Sequence, residues 1–200
     1  MTRTTAMLFA RVHHSVSVLL LVACACARAG DEADLPAADA EADTPVPTRN
    51  ASVLKNLDTA FWTSGLTAKP GSAMATLTEV RSAQHDEFER IVFTFEPEMT
   101  GYHLEYVDRP VHQCGSGDVV ELPGDAWLKV RLEPAQAHTE EGKPTIAERT
   151  RDLNYPNVKR IKLICDFEGV VEWIVAVASP NRYRTLELGD PPRLVLDVRK

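Results

Sequence analysis

The chain has 200 residues and is acidic, with 22 Lys and Arg against 29 Asp and Glu and a formal net charge of −7 at pH 7. Nucleic-acid binding depends largely on neutralising phosphates with cationic side chains, so this balance argues against a nucleic-acid partner. It also argues against electrostatic adhesion to anionic lipid surfaces.

Residues 1–23 have the layout of a secretory signal peptide. Arg3 and Arg11 precede a short apolar run at 16–23 (VSVLLLVA), and no acidic residue occurs before position 31. A basic region followed by such a run is typical of export signals. The run is shorter than the roughly 20 apolar residues that a membrane-spanning helix needs. We therefore expect the chain to be exported into a bacterial cell envelope.

The signal ends at a sequence that resembles a bacterial lipobox. In residues 21–24 (LVAC), small residues precede Cys24, whose thiol would be acylated before it becomes the new N-terminus. We favour this reading, in which a lipid anchor holds the protein on the membrane. The alternative is ordinary cleavage after Ala27 or Ala29, which would give a secreted or periplasmic soluble protein. Cys26 has no evident role.

Residues 24–51 comprise the lipidated N-terminus and a linker. From 25 to 50 the sequence is ACARAGDEADLPAADAEADTPVPTRN, which is rich in Ala, Asp, Glu and Pro and has no aromatic residue. Such a segment cannot bury enough apolar surface to offset the entropy lost on ordering. The composition therefore predicts a disordered, solvated linker.

Short strands dominate the sequence after a lead-in at residues 52–74, which we expect to be a short helix or irregular structure. The strands are β-branched or aromatic runs separated by Gly, Pro, Asp and Asn. Many short strands in one domain predict an all-β fold, either an antiparallel β-sandwich or a partly closed barrel. The predicted strands are 75–81, 90–95, 102–107, 119–122, 127–132, 159–165, 170–177, 183–188 and 193–198.

The alternation of apolar and polar residues along a strand indicates which of its faces is buried. In 127–132, Leu128, Val130 and Leu132 share one face opposite Lys129 and Arg131, as in a sheet with one solvated side. In 170–177 the apolar residues occupy both faces, which predicts a strand buried on both sides. The loop at 133–155 is long and polar, and we expect it to be functional or mobile.

Two cysteines of the exported domain, Cys114 and Cys165, are candidates for a disulfide. Thiols outside the cytoplasm are commonly oxidised. The bridge would close a loop of about 50 residues and contribute about 4 kcal/mol in the chain-entropy treatment. The alternative is two buried free thiols.

The sequence contains no strong signal for catalysis or for a metal site; His112 and Cys114 are two apart, but a disulfide accounts better for the cysteine. The segment Gly115-Ser116-Gly117 lacks the strand-to-helix setting of a nucleophile elbow and is better explained as a turn. Neither H-E-x-x-H nor C-x-x-C occurs. We expect a protein that is not an enzyme, with no catalytic residue, no metal ligand and no cofactor.

Five segments in order resemble the AMIN-like domain of bacterial envelope proteins: HDEFERIVFTF at 85–95, GYHLEYV at 101–107, GDAWLKVRL at 124–132, DFEGVV at 166–171 and DPPRLVLDV at 190–198. The resemblance covers nearly all of the expected domain at 75–200. That family is similar to the AMIN domain found beside amidases and in pilus secretins, and we expect the domain here to act without an attached amidase or secretin domain. The resemblance implies a β-sandwich that attaches to peptidoglycan or to a protein partner in the envelope.

Five charged residues within the resembling segments are candidate ligand contacts. The alternative is that they form structural ion pairs; Arg193 and Asp197, four apart on one strand face, are the expected pair. The candidates are Arg90, Asp166, Glu168, Arg193 and Asp197.

Two functions follow from these expectations. The first is a non-catalytic lipoprotein whose β domain binds peptidoglycan or an envelope complex. The second is an inhibitor-like lipoprotein that binds a small molecule or a protein in an apolar pocket and has no affinity for the cell wall. An exposed, flat and charged sheet face would favour the first function, and a deep apolar cavity the second.

Overall fold

The computed structural model describes residues 61–200. The expected signal peptide at 1–23, the lipidation site Cys24 and the linker at 24–51 lie outside the described residues. The described part contains strands and no helix, and therefore no helix that could span a membrane. The strands are β1 Thr67–Lys69, β2 Ala75–Gln84, β3 Phe88–Glu96, β4 Gly101–Val107, β5 Val111–His112, β6 Val119–Val120, β7 Ala126–Glu133, β8 Ala135–Gln136, β9 Thr150–Asp152, β10 Val158–Phe167, β11 Val170–Val177, β12 Tyr183–Leu188 and β13 Arg193–Arg199.

Two sheets form an antiparallel sandwich. The six-stranded sheet has the order β1-β4-β7-β11-β10-β9, and the five-stranded sheet has the order β12-β13-β3-β2-β8. Strands β5 and β6 form a separate hairpin. Within the two sheets, only the short β2–β8 pair is parallel. The all-β sandwich predicted from the sequence is confirmed, and the strands do not close into a barrel.

The core lies between the two sheets and is built by the predicted alternation. Leu128, Val130 and Leu132 are fully buried on the inner face of β7, opposite the more exposed Lys129 and Arg131. Across the core the rings of Phe93 and Trp173 meet edge to face, with centroids 6.1 Å apart. Aromatic pairs in this arrangement contribute beyond the area that they bury.

Strand β11 is buried on both faces, as its sequence predicts. Trp173 and Val175 face the core, whereas Ile174 and Ala176 face outward and are fully buried. Ile174 and Ala176 belong to a second apolar cluster with Trp127, which includes Val120 of the β5–β6 hairpin. The hairpin therefore covers part of the outer face of the six-stranded sheet.

A disulfide between Cys114 and Cys165 fixes this hairpin to β10. The two Cα atoms are 5.1 Å apart, within the usual range for a disulfide. The backbone N–H of Cys114 also donates to the carbonyl of Ile164 at 3.1 Å. The expected bridge is confirmed, and the segment Gly115-Ser116-Gly117 lies in the turn between β5 and β6 as expected.

The structure adds short strands that the sequence pattern does not predict. Strands β1, β5, β8 and β9 contain only two or three residues each, too few for an alternation to be visible. β1 lies within the lead-in expected at 52–74. The described part of that segment, residues 61–74, contains this strand and a bridge from Thr63 to Tyr183, and residues 52–60 lie outside the described residues.

The long segment at 133–155, expected to be functional or mobile, covers an open sheet edge. Its side chains bond to the free edge of β2: Thr145 Oγ1 donates to the carbonyl of Leu77 at 2.6 Å, and Arg151 Nη1 to that of Val80 at 3.1 Å. Unpaired strand edges invite association with other chains, and covering them prevents it. These contacts give the segment a structural role.

Candidate functional site

The structure separates the five candidate ligand residues into two groups. Arg90, Arg193 and Asp197 lie on the outer face of the five-stranded sheet, on β3 and β13. Asp166 and Glu168 lie at the end of β10 and in the turn that follows it, in the other sheet. They therefore do not form one site.

Asp197 is the centre of the first group. Its side chain is 0% exposed although it points to the outer face of the sheet. Arg90 donates to both of its carboxylate oxygens, from Nε to Oδ1 at 2.6 Å and from Nη2 to Oδ2 at 2.8 Å. Arg184 Nε donates to Oδ2 at 2.9 Å. Two guanidinium groups thus compensate one buried carboxylate, with the bidentate geometry that makes such pairs strong.

The strand register explains why Asp197 pairs with Arg90 and Arg184. It excludes the ion pair between Arg193 and Asp197 that the sequence suggested. Asp197 lies directly opposite Arg90 on β3 and opposite Arg184 on β12, so three neighbouring strands present these side chains in one row. Residues four apart on one strand are separated by about 13 Å, which is too far for Arg193 to reach Asp197. Arg193 instead donates to the carbonyls of Pro191 and Gly189, at 3.1 and 3.2 Å.

Aromatic rings extend this row. The guanidinium carbons of Arg90 and Arg184 lie 5.1 and 5.2 Å from the centroid of the Phe88 ring. Those of Arg184 and Arg199 lie 4.6 and 4.7 Å from the Trp62 ring. Cations at such distances are attracted to the faces of aromatic rings. We call the whole set the arginine–aromatic patch: Trp62, His85, Phe88, Arg90, Arg184, Asp197 and Arg199.

The patch concentrates positive charge on an acidic chain. It holds three arginines against one carboxylate, whereas the whole chain carries a net charge of −7. Arg199 is exposed, and no carboxylate of residues 61–200 lies within ion-pair distance of it. A rigid surface with a planar cation and aromatic faces can bind an anion and stack a flat or ring-shaped group beside it.

Asp166 and Glu168 have contacts of a structural kind. Asp166 is nearly buried, and its Oδ1 accepts from the backbone N–H of Ala137 at 2.9 Å and lies 2.9 Å from His138 Nδ1. It thereby holds the start of the covering segment at 133–155. Glu168 has φ of 50° and forms the tight β10–β11 turn with Gly169. A role in ligand binding for either residue stays a prediction.

Open grooves mark the surface of the described residues. One of about 540 Å³ at the β1 edge includes Lys69, His103, Arg131 and Glu133 in its lining. Another of about 340 Å³ lies beside Trp127 and the hairpin. Within residues 61–200, no three His, Cys, Asp or Glu side chains are placed to hold a metal ion. The charged face of the five-stranded sheet is therefore the better candidate for the binding surface.

Sequence reasoning found part of this patch and missed the rest. Arg90 and Asp197 stand out in the sequence as charged residues within strand motifs. Phe88 and Arg199 could have been found by extending the alternation by two residues along β3 and β13. Arg184 and Trp62 carry no such signal, because their positions depend on strand pairing and on the path of the lead-in.

Comparison with known proteins identifies the domain. The family model of the AMIN-like domain matches residues 75–200, which confirms the resemblance. Neither the search of curated proteins nor that of solved structures gave a match.

Proposed function

Since this chain belongs to the AMIN-like domain family, we propose that it is a non-catalytic cell-envelope lipoprotein that binds peptidoglycan through the outer face of its five-stranded sheet. Family membership supports the envelope setting, because AMIN-like domains are typical of exported envelope proteins. The better-known AMIN domains, to which the family is similar, attach to peptidoglycan.

The observation that carries the proposal is the arginine–aromatic patch. Peptidoglycan presents sugar rings and the carboxylates of its peptide stems along a repeating polymer. Arginine forks bind carboxylates in a bidentate manner, and aromatic faces stack on sugar rings. Trp62, Phe88 and Arg199 bring both kinds of group to one surface, where the two rings also pack against guanidinium groups of the patch.

The patch is also rigid before any ligand binds. It stands mainly on three paired strands of one sheet, β3, β13 and β12, and the buried Asp197 fixes two of its guanidinium groups. Side chains that are already ordered lose less entropy when a ligand arrives, so a modest contact area can give useful affinity. The grooves at the β1 edge and beside Trp127 are open to solvent, whereas a pocket-based, inhibitor-like lipoprotein would need a deep apolar cavity, and this supports wall binding over that alternative.

The lipid anchor and linker complete the proposal. An acylated Cys24 would hold the protein on the membrane, and a flexible linker of residues 24–51 would extend over a root-mean-square distance of about 30 Å. The sandwich could then reach cell wall close to the membrane while it remained tethered.

The test is co-sedimentation with washed peptidoglycan sacculi at physiological salt. The protein is the exported chain with its disulfide intact and with Cys24→Ser, so that no lipid is attached. We expect retention of this protein and at least tenfold weaker retention of Arg199→Glu, because a repulsive charge then stands in the patch. Arg193→Gln is the matched control on the same sheet face, and its retention should not change.

A folded parent protein that is not retained would overturn the proposal. An equal loss of retention in Arg199→Glu and Arg193→Gln would show that the substitutions disturb the sheet face in general, rather than the patch in particular. Thermal unfolding of each variant establishes that the protein used in the assay is folded.

A further inference from the structure

We propose that the arginine–aromatic patch is a carboxylate-recognition site in which Arg199 supplies the guanidinium that pairs with the ligand. This inference rests on the proposed function, because it names the chemical group of the wall that the patch would bind. It predicts that the protein distinguishes an acidic peptidoglycan stem from one whose carboxylates have been amidated.

The three arginines of the patch have different roles. Arg90 directs Nε and Nη2 to Asp197, and Arg184 directs Nε to the same carboxylate. These two groups are held in place by an internal anion, with side chains only 20% and 11% exposed. Arg90 and Arg184 are therefore positioning residues that shape the patch and raise its positive potential.

Arg199 is in a different position. It follows Asp197 by two residues on β13 and so lies on the same outer face, about 7 Å further along the strand. It is exposed, and within residues 61–200 it has no carboxylate partner. Its backbone is fixed by an N–H donated to the carbonyl of Arg182 at 2.9 Å and by a carbonyl that accepts from Asn157 Nδ2 at 2.9 Å.

The Trp62 ring orients the side chain of Arg199. The guanidinium carbon lies 4.7 Å from the ring centroid, so the ring attracts the cation and restricts its motion. An oriented guanidinium loses less freedom when it forms two parallel hydrogen bonds.

The patch already demonstrates the geometry that we assign to its ligand. Arg90 and Asp197 form a two-point contact, with distances of 2.6 and 2.8 Å, within the same group of side chains. A ligand carboxylate on Arg199 would repeat this contact one row further along the sheet. An amide in the same place lacks the negative charge and presents only one acceptor oxygen. Because hydrogen bonds to charged groups are stronger than neutral ones, we expect about a tenfold preference for the acid.

The experiment measures binding of two soluble probes by calorimetry. One probe is a disaccharide-peptide fragment of peptidoglycan with free carboxylates, and the other is the same fragment with those carboxylates amidated. The protein is the oxidised Cys24→Ser chain. We expect the acidic fragment to bind about tenfold more tightly than the amidated one. Arg199→Gln should bring the two affinities together by weakening only the acidic fragment.

Two further variants separate recognition from general structure. Arg199→Lys keeps the charge but loses the fork, so it should retain part of the preference for the acid. Arg193→Gln should retain all of it, because Arg193 Nε and Nη2 donate to backbone carbonyls of the β12–β13 turn. A purely structural role of Arg199 would change both affinities together and leave their ratio as it was.

The outcomes distinguish this inference from the function on which it rests. Equal affinity for the two fragments, or binding to sacculi without binding to either fragment, overturns carboxylate recognition while wall binding stands. Failure of the folded protein to bind sacculi and fragments removes both proposals.

Discussion

Asp197 shows how a single residue can determine the shape of a surface. A fully buried carboxylate is costly unless charged partners and hydrogen bonds compensate it. Arg90 and Arg184 provide that compensation and are themselves fixed by it, each with an aromatic ring against its guanidinium. Burial of one carboxylate thus orders two guanidinium groups on the outer face of a sheet.

Removing this carboxylate should destabilise the domain strongly. Asp197→Ala would remove the buried carboxylate that the guanidinium groups of Arg90 and Arg184 share, and we expect the free energy of unfolding to fall by about 3–5 kcal/mol. Denaturant unfolding followed by tryptophan fluorescence measures the change. Arg193→Ala on the same strand should stay within about 0.5 kcal/mol of the parent. A loss below about 1 kcal/mol in Asp197→Ala would contradict the central role of this residue.

Two tyrosines should resist ionisation. Burial, followed by the hydrogen bond and charge of Glu187, raises the pKa of Tyr102 to about 12. Burial, followed by the neighbouring Tyr183, raises the pKa of Tyr106 to about 12. Both values exceed the pKa of about 10 expected in the unfolded chain, so the folded state holds these protons more tightly.

The higher tyrosine pKa values in the folded state determine how the stability depends on pH. The contribution of the two tyrosines is fully present below about pH 10 and is lost as the pH rises from about 10 towards 12. Ultraviolet phenolate absorbance during an alkaline titration should therefore show part of the tyrosine signal appearing only near the upper end of this range. Tyr102→Phe should remove part of that late signal. Complete ionisation of all tyrosines near pH 10 in the folded protein would contradict this expectation.

At the scale of elements, the β5–β6 hairpin depends on its disulfide. The hairpin strands have two residues each, too few to hold the hairpin in place by backbone pairing alone. The bridge from Cys114 to Cys165 fixes it over the apolar cluster that includes Trp127 and Ile174. The covalent link therefore keeps apolar surface of the six-stranded sheet covered.

We expect the double variant Cys114→Ser, Cys165→Ser to lose up to about 4 kcal/mol of unfolding free energy, because the cross-link closes a loop of 51 residues. Limited proteolysis should cut first within residues 108–125, where the hairpin would come away from the sheet. The parent protein treated with a reductant should behave like the variant. Equal stability and identical cleavage patterns with and without the bridge would contradict this role.

Strands could be predicted from the sequence where they are long enough to show a pattern of apolar and polar residues. The eight-residue β11 and the six-residue β12 coincide with the segments expected, because apolar and polar residues alternate or persist over their whole length. The three-residue β1 was not predicted, since its pairing is imposed by its neighbour β4. The candidate site follows the same rule. Arg90 and Asp197 could be identified individually, but their pairing depends on the register of strands whose paired residues are 107 positions apart.

At the scale of the whole molecule, membrane attachment distinguishes two possible ends of the signal peptide. These are acylation of Cys24 and ordinary cleavage after Ala27 or Ala29. If Cys24 is acylated, the protein should sediment with membranes and incorporate labelled fatty acid. Cys24→Ala should prevent the labelling and leave the precursor uncleaved, or cleaved at the later Ala27 or Ala29 positions. Cys26→Ala is the matched control and should behave like the parent. Labelling that persists in Cys24→Ala would show that the anchor is elsewhere.

The place of β13 in the five-stranded sheet affects when the domain can form. β13 comes last among the described strands along the chain, yet it lies between β12 and β3. β3 therefore stays unpaired on one side, and Asp197 is absent from beneath Arg90, until residues 193–199 have been synthesised. Contacts between such distant segments make folding slow. The five-stranded sheet, and with it the core between the two sheets, is therefore completed only after β13 has been synthesised, and until then the chain is in an incompletely folded state of the kind that a secretion channel can accept.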